Sequence, residues 1–531
     1  MASSPTVSAF PRLTLAESEL KEGRVDRAAA HVMQHLREHP NEPRGTALLG
    51  SIAFKSGALV QAEVFLRRAI ALGATGLDVQ SDLAKTIYRQ DRLADALSAY
   101  THLETQDADP DIAATKALLL DKLGRSDEAI AAHEKLIERE PADAANWIAY
   151  GHSLRSASRT DEAIEAYRRA IAIDNERGEA WWSLANIKSK VLTEQDLTAM
   201  LDALETAVDA MNIAPLHFAI GRAMHDRGEF EKAFHHFSEG SRVRSEAVDY
   251  DPAELTREVD EYIQRFGPDF FENTAPMQSD GPIPIFLISL PRSGSTLLEQ
   301  MLDAHPDIEA LGELPYVRAL VHSALELHTR SGALKVPELF SRLSPAEREA
   351  FGKDYLKRAA AHRRTNSPYF VDKMPMNWSD LLFIRQILPQ ARFIEIRRNA
   401  MDCCWSNFIH YFSLAHAASF DLGQMGQFCR DYVRFMDHID EVAPGLVQHV
   451  RYETLVESPE SQVRPVLESL GLEWDPDILE FHSSSRSVRT PSAEQVRRPL
   501  NRSGIGTWKP YSEWLQSLTD ALGPLASDQS A

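Results

Sequence analysis

A chain of 531 residues is too long for one hydrophobic core, so its length predicts two or three domains. Hydrophobic residues make up 44% of the chain and charged residues 25%, which is typical of globular proteins. The net charge of −21 at pH 7 argues against nucleic acid or an anionic membrane as the main partner.

Cysteine usage and the N-terminal residues predict a location in the cell. Cys403, Cys404 and Cys429 are the only cysteines, and their spacing fits neither a disulfide framework nor a metal site. The N-terminus has no basic start followed by an apolar core, and no apolar run approaches the ~20 residues that span a bilayer. We therefore expect a cytoplasmic protein without a metal.

The N-terminal half repeats itself with a period close to 34 residues. In one unit Ala163, Tyr167 and Ala170 alternate small and large side chains at helical spacing. Five steps, broken once by an insertion at 188–212, relate the equivalent small residues: Ala28, Ala62, Ala96, Ala129, Ala163 and Ala233. Small positions let two helices approach, and large ones fill the space between them.

This pattern resembles tetratricopeptide repeats, which predicts an all-α solenoid over residues 12–248. The resemblance implies that the solenoid binds a peptide or protein. The alternatives are that it joins two copies of the chain as a homodimer or packs on the rest of the same chain. Residues 249–281 follow as a helix, Asp251–Arg265, and a linker rich in Pro, Asp and Gly.

The stretch PIFLISLPRSGSTLLEQMLDAHP, residues 284–306, predicts a strand, a tight turn and a helix. The apolar run Ile285–Leu290 ends at Pro291, and a helix begins near Ser295. The turn between them suits an anion, because helix N-terminal N–H groups, hydroxyls and an arginine all face one point. The residues that we expect to bind this anion are Arg292, Ser293, Gly294, Ser295 and Thr296.

The turn lacks the Walker pattern GxxxxGK[ST], and PRSGST instead resembles the loop of sulfotransferases. The longer segment LPRSGSTLLEQMLDAHPDIEALGE is similar to tyrosylprotein sulfotransferases and their bacterial relatives. The resemblance implies that the loop holds the 5′-phosphosulfate of 3′-phosphoadenosine 5′-phosphosulfate (PAPS), the sulfuryl donor. A turn in another α/β enzyme is the alternative.

Two further residues gain catalytic roles from this resemblance. Glu313 lies 21 positions after Arg292, where the tyrosylprotein sulfotransferases have their general base. Lys373 follows a second strand, Tyr369–Asp372, where the family's lysine contacts the bridging oxygen and, with Arg292, stabilises charge on the leaving phosphate. A solvated loop acid and a surface lysine are the alternatives.

The remaining candidates bind the nucleotide. After a third strand, Ala391–Ile396, Arg398 and Ser406 match the arginine and serine that hold the 3′-phosphate in sulfotransferases. Arg397 competes with Arg398, but strand alternation turns one of the two away. A fourth strand, 447–453, contains Tyr452, which lies near the nucleotide or in the core. The C-terminal loop resembles a nucleotide lid. Its candidate ligands are Ser492, Gln495, Arg497 and Arg498, of which Arg498 best matches the family's basic residue.

Four strands alternating with helices predict a doubly wound parallel sheet over 282–519, followed by a disordered tail over 520–531. The segment 316–364 is read as a cap over the acceptor pocket or as plain helical packing. The function predicted is transfer of a sulfuryl group from PAPS to an acceptor hydroxyl, for which a protein tyrosine is the candidate. A nucleotide-dependent kinase and a repeat-based scaffold with an inactive nucleotide-binding domain are the alternatives.

Overall fold

The structure, a computed structural model, describes residues 11–187, 190–272, 281–329, 334–413, 416–483 and 496–527. Contacts divide the chain into two compact units. The first comprises Met1–Ala132, Pro315–Arg342 and Asp354–Ala361, and the second comprises His133–Leu314, Leu343–Lys353 and His362–Ala531. The division falls inside the repeats, so it differs from the predicted domain boundaries, which stay a prediction.

Antiparallel pairs of helices occupy the N-terminal half, with one additional helix, α12, inside the predicted insertion. Their bounds are α1 Pro11–Lys21, α2 Val25–Glu38, α3 Pro43–Lys55, α4 Leu59–Ala71, α5 Leu77–Arg89, α6 Leu93–Glu104, α7 Pro110–Lys122, α8 Ser126–Arg139, α9 Ala144–Ser156, α10 Thr160–Ile173, α11 Gly178–Ala185, α12 Glu194–Thr206, α13 Ala210–Asp226 and α14 Phe230–Glu246.

In three of the pairs a glycine faces a large residue sixteen positions later, as Gly50 faces Leu66. A Cβ atom added to Gly151 would lie 2.5 Å from the ring of Tyr167, and one added to Gly221 would lie 2.8 Å from that of Phe237. The small residues that mark the predicted period, from Ala28 to Ala233, are all fully buried. The small and large positions inferred from the sequence therefore do form the contact between paired helices.

The tryptophans of the repeats are structural. Trp181 is buried, and its indole N–H donates to the carbonyl of Asn175 at 2.8 Å. Trp147 makes the equivalent bond to Pro141 at 3.0 Å but stays half-buried. Both side chains thus tie the start of one helix pair to the connection that precedes it.

In the first unit, helices from the C-terminal half bind the ends of repeat helices. Helix α18 spans Tyr316–His328 and α20 spans Pro345–Ala360, with α19, Val336–Phe340, between them. The Glu326 carboxylate on α18 accepts bonds of 2.9 and 2.8 Å from the N–H groups of Val60 and Gln61, in the first turn of α4. The Arg358 guanidinium on α20 donates to the carbonyl of Gln90 at 2.8 Å, just beyond the end of α5. These bonds compensate free groups at helix ends, and the cap role proposed for 316–364 stays a prediction.

A five-stranded parallel sheet forms the centre of the second unit within the described residues. The strands are β1 Ile283–Ile288, β2 Ile308–Ala310, β3 Tyr369–Asp372, β4 Arg392–Arg397 and β5 Val447–Arg451, in the order β2-β3-β1-β4-β5. The remaining helices are α15 Pro252–Arg265, α16 Pro268–Glu272, α17 Ser295–Asp303, α21 Leu381–Ile387, α22 Ala400–Phe408, α23 Leu422–Val442, α24 Tyr452–Glu457, α25 Pro459–Leu470 and α26 Gln516–Leu522.

Side chains cover both faces of this sheet. Ile285 and Leu287 of β1 point into a core with Leu298 of α17 and Leu467 of α25. Phe286, between them, faces the other way and stacks on Phe393 of β4 at 5.9 Å. The near-continuous apolar run of β1 therefore reflects burial on both faces, and the predicted fold class, a helical repeat solenoid followed by a doubly wound parallel sheet, is confirmed.

The sequence missed two elements of this unit. Strand β2 has only three residues, too few for a periodic pattern, and it pairs with β3 through the register Ile308–Tyr369. The predicted tail from residue 520 is wrong as far as Ala526, because helix α26 and the 3-10 turn Gly523–Ala526 occupy it and Leu522 is fully buried. No helix in the described residues is long and apolar enough to cross a membrane.

Candidate active site

The site lies at the carboxyl ends of β1, β3 and β4. The chain places β2 and β3 on one side of β1 and β4 and β5 on the other, so β1 marks the point where the strand order switches sides, the usual place for a ligand in such sheets. The connection after β1 joins the one after β3 through a hydrogen bond of 3.1 Å from the Ser289 N–H to the Pro375 carbonyl. The connection after β4 reaches the β1 loop through Arg398, whose guanidinium donates to the Arg292 carbonyl at 2.8 Å. Three segments separated by up to 106 residues thus meet at one edge of the sheet.

The loop after β1 has an unusual backbone. Arg292 has φ = +67° and Gly294 has φ = +97°, both in the left-handed region. The arginine is the strained member of the pair, since a side chain disfavours this region. Helix α17 begins directly at Ser295, with Ser295 and Thr296 buried in its first turn. The loop therefore presents a helix N-terminus to the site, the arrangement that binds anions.

Gly294 is required by its surroundings as well as by its backbone. A Cβ atom at this position would lie 2.3 Å from Cδ2 of Tyr452. A Cβ atom at Gly504, in the C-terminal segment, would lie 2.5 Å from the hydroxyl of the same tyrosine. Tyr452 is thus packed between two glycine loops, and the Arg398 guanidinium lies 5.2 Å above its ring.

Arginine charges gather beside the loop. The Arg292 Nε donates to the Ser406 hydroxyl on α22 at 3.3 Å, which joins the two residues predicted at opposite ends of the nucleotide. Burial, together with the charges of Arg398 and Arg222, lowers the pKa of Arg292 to about 10. The guanidinium therefore stays protonated at neutral pH, and a phosphate bound here would relieve the repulsion among these cations.

Glu313 and Lys373 form an ion pair. Lys373 is 1% exposed and Glu313 is 41% exposed at its side chain, so the amine lies inside and the carboxylate faces the opening. The loop that carries Glu313 is fixed by bonds from the Lys373 N–H to the Gly312 carbonyl at 2.9 Å and from the Gly312 N–H to the Glu299 carboxylate at 3.0 Å. Lys373 is thus not a surface lysine, and Glu313 is held against the end of β3.

The two arginines after β4 separate as strand alternation predicts. Arg397 pairs with Glu395 and is 3.7 Å from Asp437, on the face covered by α23. Arg398 is buried in the site, where it contacts the Gly504 carbonyl and lies 3.8 Å from Asp402. Its Nε is buried without a hydrogen-bond partner among the described residues, which leaves one donor for a ligand.

Asp402 is a functional candidate that the sequence analysis missed. Its carboxylate accepts bonds of 2.7 Å from the N–H groups of both Gly506 and Thr507, and 2.8 Å from the Thr507 hydroxyl. It therefore anchors the C-terminal segment to the start of α22. An acid one helical turn after Arg398 was the available signal.

Not all of the predicted ligands converge. The Ser293 hydroxyl faces the Cys403 thiol at 3.3 Å, and burial raises the pKa of that thiol to about 12. Arg498 is exposed at the surface. Ser492 and Gln495 lie outside the described residues. No group of three or more potential metal ligands is found in the described part of the chain.

Known families match both halves of the chain. Residues 284–476 match the model of the sulfotransferase family, and residues 13–76 and 115–186 match that of the tetratricopeptide repeat. These matches confirm the resemblance drawn from the repeat period and from the loop after β1.

Individual relatives are distant. An uncharacterised protein of Aquifex aeolicus is 26% identical over 519 residues, which is 94% of this chain and 68% of that protein. Protein-tyrosine sulfotransferase 1 of Danio rerio is 26% identical over 239 residues, or 42% of this chain, and the match spans just under two thirds (65%) of its length. Among solved structures, the sulfotransferase domain of the Synechococcus PCC 7002 olefin synthase is 22% identical with a TM-score of 0.28, covering 45% of this chain and 98% of that one.

Proposed function

We propose that this chain, in which tetratricopeptide repeats precede a sulfotransferase-family domain, transfers a sulfuryl group from PAPS to an acceptor hydroxyl. The observation that carries the proposal is the meeting of the β1 loop, the Glu313–Lys373 pair and the Arg398–Ser406 segment at one sheet edge. A nucleotide with two phosphate groups needs cations and helix N-terminal N–H groups at both ends. An acceptor hydroxyl needs a proton acceptor beside them.

Donor binding is assigned to the first and third of these segments. The loop of 292–296 and the N-terminus of α17 would hold the 5′-phosphosulfate, while Arg398 and Ser406 would hold the 3′-phosphate. The Arg398 Nε, buried without a hydrogen-bond partner among the described residues, supports this assignment because it offers a donor to an anion. The turn at Gly294 supports it because helix α17 begins there and exposes its first N–H groups. The C-terminal segment anchored by Asp402 would close over the nucleotide.

Transfer then follows an in-line displacement at sulfur. Glu313 takes the proton of the acceptor hydroxyl as its oxygen forms a bond to sulfur. The bridging bond between sulfur and the phosphate oxygen breaks, and its electron pair stays on that oxygen. Lys373 and Arg292 stabilise the negative charge that develops on the leaving 3′,5′-bisphosphate. The ion pair of Glu313 with Lys373 keeps proton acceptor and cation adjacent before substrates bind.

A protein tyrosine is the acceptor we propose. Support comes from the similarity to protein-tyrosine sulfotransferase 1 of Danio rerio and from the presence of Glu313 at the spacing that the resemblance implies for the general base. Repeats that bind a peptide would serve the same purpose by presenting the acceptor. A reducing, cytoplasmic setting stays our expectation, in keeping with three free and buried cysteines.

The nucleotide preference tests the donor. Calorimetry with adenosine 3′,5′-bisphosphate and with ATP plus Mg²⁺ separates the two enzyme classes. We expect binding of the bisphosphate and none, or much weaker binding, of ATP. The reverse preference would favour a kinase and overturn the proposal.

Transfer itself is tested with radiolabelled PAPS and a cell lysate, followed by separation of protein from small molecules. We expect label in protein tyrosine, and loss of labelling in Glu313→Ala with bisphosphate affinity retained. Glu468→Ala, an exposed acid on α25, is the matched control and should label normally. An active Glu313→Ala would remove the proposed base, and an inert wild type that binds nucleotide would favour the scaffold with an inactive domain.

A further inference from the structure

The last repeat is packed against the helix that carries Ser406. Phe234 of α14 stacks on Trp405 of α22 with ring centroids 6.3 Å apart and on Trp514 at 5.6 Å. Tyr511 lies 4.2 Å from Trp405. Because these rings belong to one compact unit, the position of α22 depends on the repeat as well as on the sheet.

Helix α13 of the same repeat turns a polar face towards this contact. The His225 imidazole is bonded to the Tyr511 hydroxyl at 2.7 Å, and the two rings are stacked. Arg222 precedes His225 by three positions, so both side chains lie on the same face of α13. Tyr511 in turn covers Trp405, the neighbour of Ser406 on α22. Arg222 therefore lies on the side of α13 that faces this part of α22.

The Arg222 guanidinium is held in place by one ion pair but does not use all of its hydrogen-bond donors. Its Nη2 pairs with Asp226 at 3.1 Å, one turn further along α13, and its side chain is 24% exposed. Its Nε is buried without a hydrogen-bond partner among the described residues. The arginine thus keeps donors available on a rigid helix.

Arg222 also belongs to the charge cluster of the active site. Its charge acts on Arg292, whose side chain is bonded to Ser406. Arg222 pairs with Asp226, Arg398 lies 3.8 Å from Asp402, and Glu453 accepts a bond of 3.0 Å from the Asn399 N–H next to Arg398. Buried guanidinium groups gathered in one place are costly unless anions pair with them.

We propose that Arg222 binds the 3′-phosphate of the donor nucleotide, so that the last tetratricopeptide repeat forms part of the donor site. The inference rests on the proposed function, since it assumes a nucleotide with a 3′-phosphate. It also gives the repeats a role in the enzyme that is independent of any bound partner: they supply a phosphate ligand and support α22.

The test compares two nucleotides on the full chain. Adenosine 3′,5′-bisphosphate and adenosine 5′-monophosphate differ by the 3′-phosphate alone, and calorimetry gives Kd for both. We expect Arg222→Gln to weaken bisphosphate binding about tenfold or more, as for the loss of a charge-assisted hydrogen bond, and monophosphate binding less than about threefold. Arg222→Lys should restore part of the bisphosphate affinity, because it keeps the charge without the planar fork.

Arg242→Gln is the matched control, because Arg242 is an exposed arginine on α14 that pairs only with Glu239 and Glu246 in the described structure. It should bind both nucleotides as the wild type does. An Arg222→Gln variant with wild-type bisphosphate affinity, or with equal losses for both nucleotides, would overturn the inference while the proposed function stands. A wild type that binds neither nucleotide would overturn both.

Discussion

Replacing Gly294 by alanine tests whether the β1 loop is shaped by its contact with Tyr452. The substitution adds a Cβ atom to a residue with φ = +97° and places it 2.3 Å from Cδ2 of Tyr452. The left-handed backbone costs about 1–2 kcal/mol for a residue with a side chain. Overpacking against the partly buried Tyr452 ring costs about 1–3 kcal/mol more. We therefore expect the free energy of unfolding to fall by about 2–5 kcal/mol.

Gly471→Ala separates these two contributions. Gly471 ends α25 with φ = +74°, and nothing lies within 4 Å of its added Cβ, so only the backbone cost of about 1–2 kcal/mol applies. Urea unfolding measures the stability of both variants, and calorimetry with adenosine 3′,5′-bisphosphate measures the site. We expect nucleotide affinity to fall about tenfold or more in Gly294→Ala, because the loop that binds the anion must shift to make room for the methyl group. We expect no change of affinity in Gly471→Ala.

A double variant completes the comparison. Tyr452→Ala removes the ring that the new Cβ would meet, so Gly294→Ala should cost about 1–3 kcal/mol less in that background. Equal losses of stability in Gly294→Ala and Gly471→Ala, with nucleotide affinity unchanged, would refute the reasoning. The loop would then adapt to a side chain without cost to the anion site.

Three further predictions concern catalysis, pH and the first unit. Glu313→Gln should lower turnover about 100-fold or more and leave the bisphosphate Kd nearly unchanged, because it removes the proton acceptor but keeps the shape of the side chain beside Lys373. An equal loss of affinity would point to a binding role. The hydrogen bond to Glu395 raises the pKa of His449 above 6.5. The stabilisation by this pair is therefore complete below about pH 6.5 and is lost as the pH rises through the raised pKa. His449→Gln should lower the free energy of unfolding in urea at about pH 6 and much less at about pH 9, and a difference that stays constant with pH would contradict the assignment. Glu326→Ala should lower the free energy of unfolding by about 0.5–2 kcal/mol, because it removes the cap of α4. Urea unfolding measures this loss against Asp107→Ala, which changes an exposed acid after α6. No difference between the two variants would show that the cap contributes nothing.

Local patterns were sufficient for most of the fold. The period of 34 residues located the helix pairs because each pair repeats the same small-against-large contact, as Gly151 makes with Tyr167. The run Ile285–Leu290 was recognised as a strand because burial on both faces demands continuous apolar residues. Strand β2 was not predicted because three residues are too few to show a periodic pattern. It is defined by its pairing with β3, which lies about 60 residues further along the chain.

The candidate site divides along the same line. The loop of 292–296 could be predicted from the sequence because its turn, its glycine and the start of its helix are neighbours in the chain. The ion pair of Glu313 with Lys373 joins residues 60 positions apart, and Asp402 binds a segment more than 100 positions away. Such contacts depend on how helices and strands pack. The resemblance to sulfotransferases was what placed Glu313 and Lys373 in one site, and no comparable signal identified Asp402.

What the sequence by itself determined is thus the list of parts: helix pairs, a parallel sheet and a loop suited to an anion. Only the tertiary structure showed how these parts meet, and it packs Phe234 of the last repeat against Trp405, the neighbour of Ser406 on α22. The physical reason is that backbone conformation follows from neighbouring residues, whereas the grouping of charges follows from packing across the whole unit.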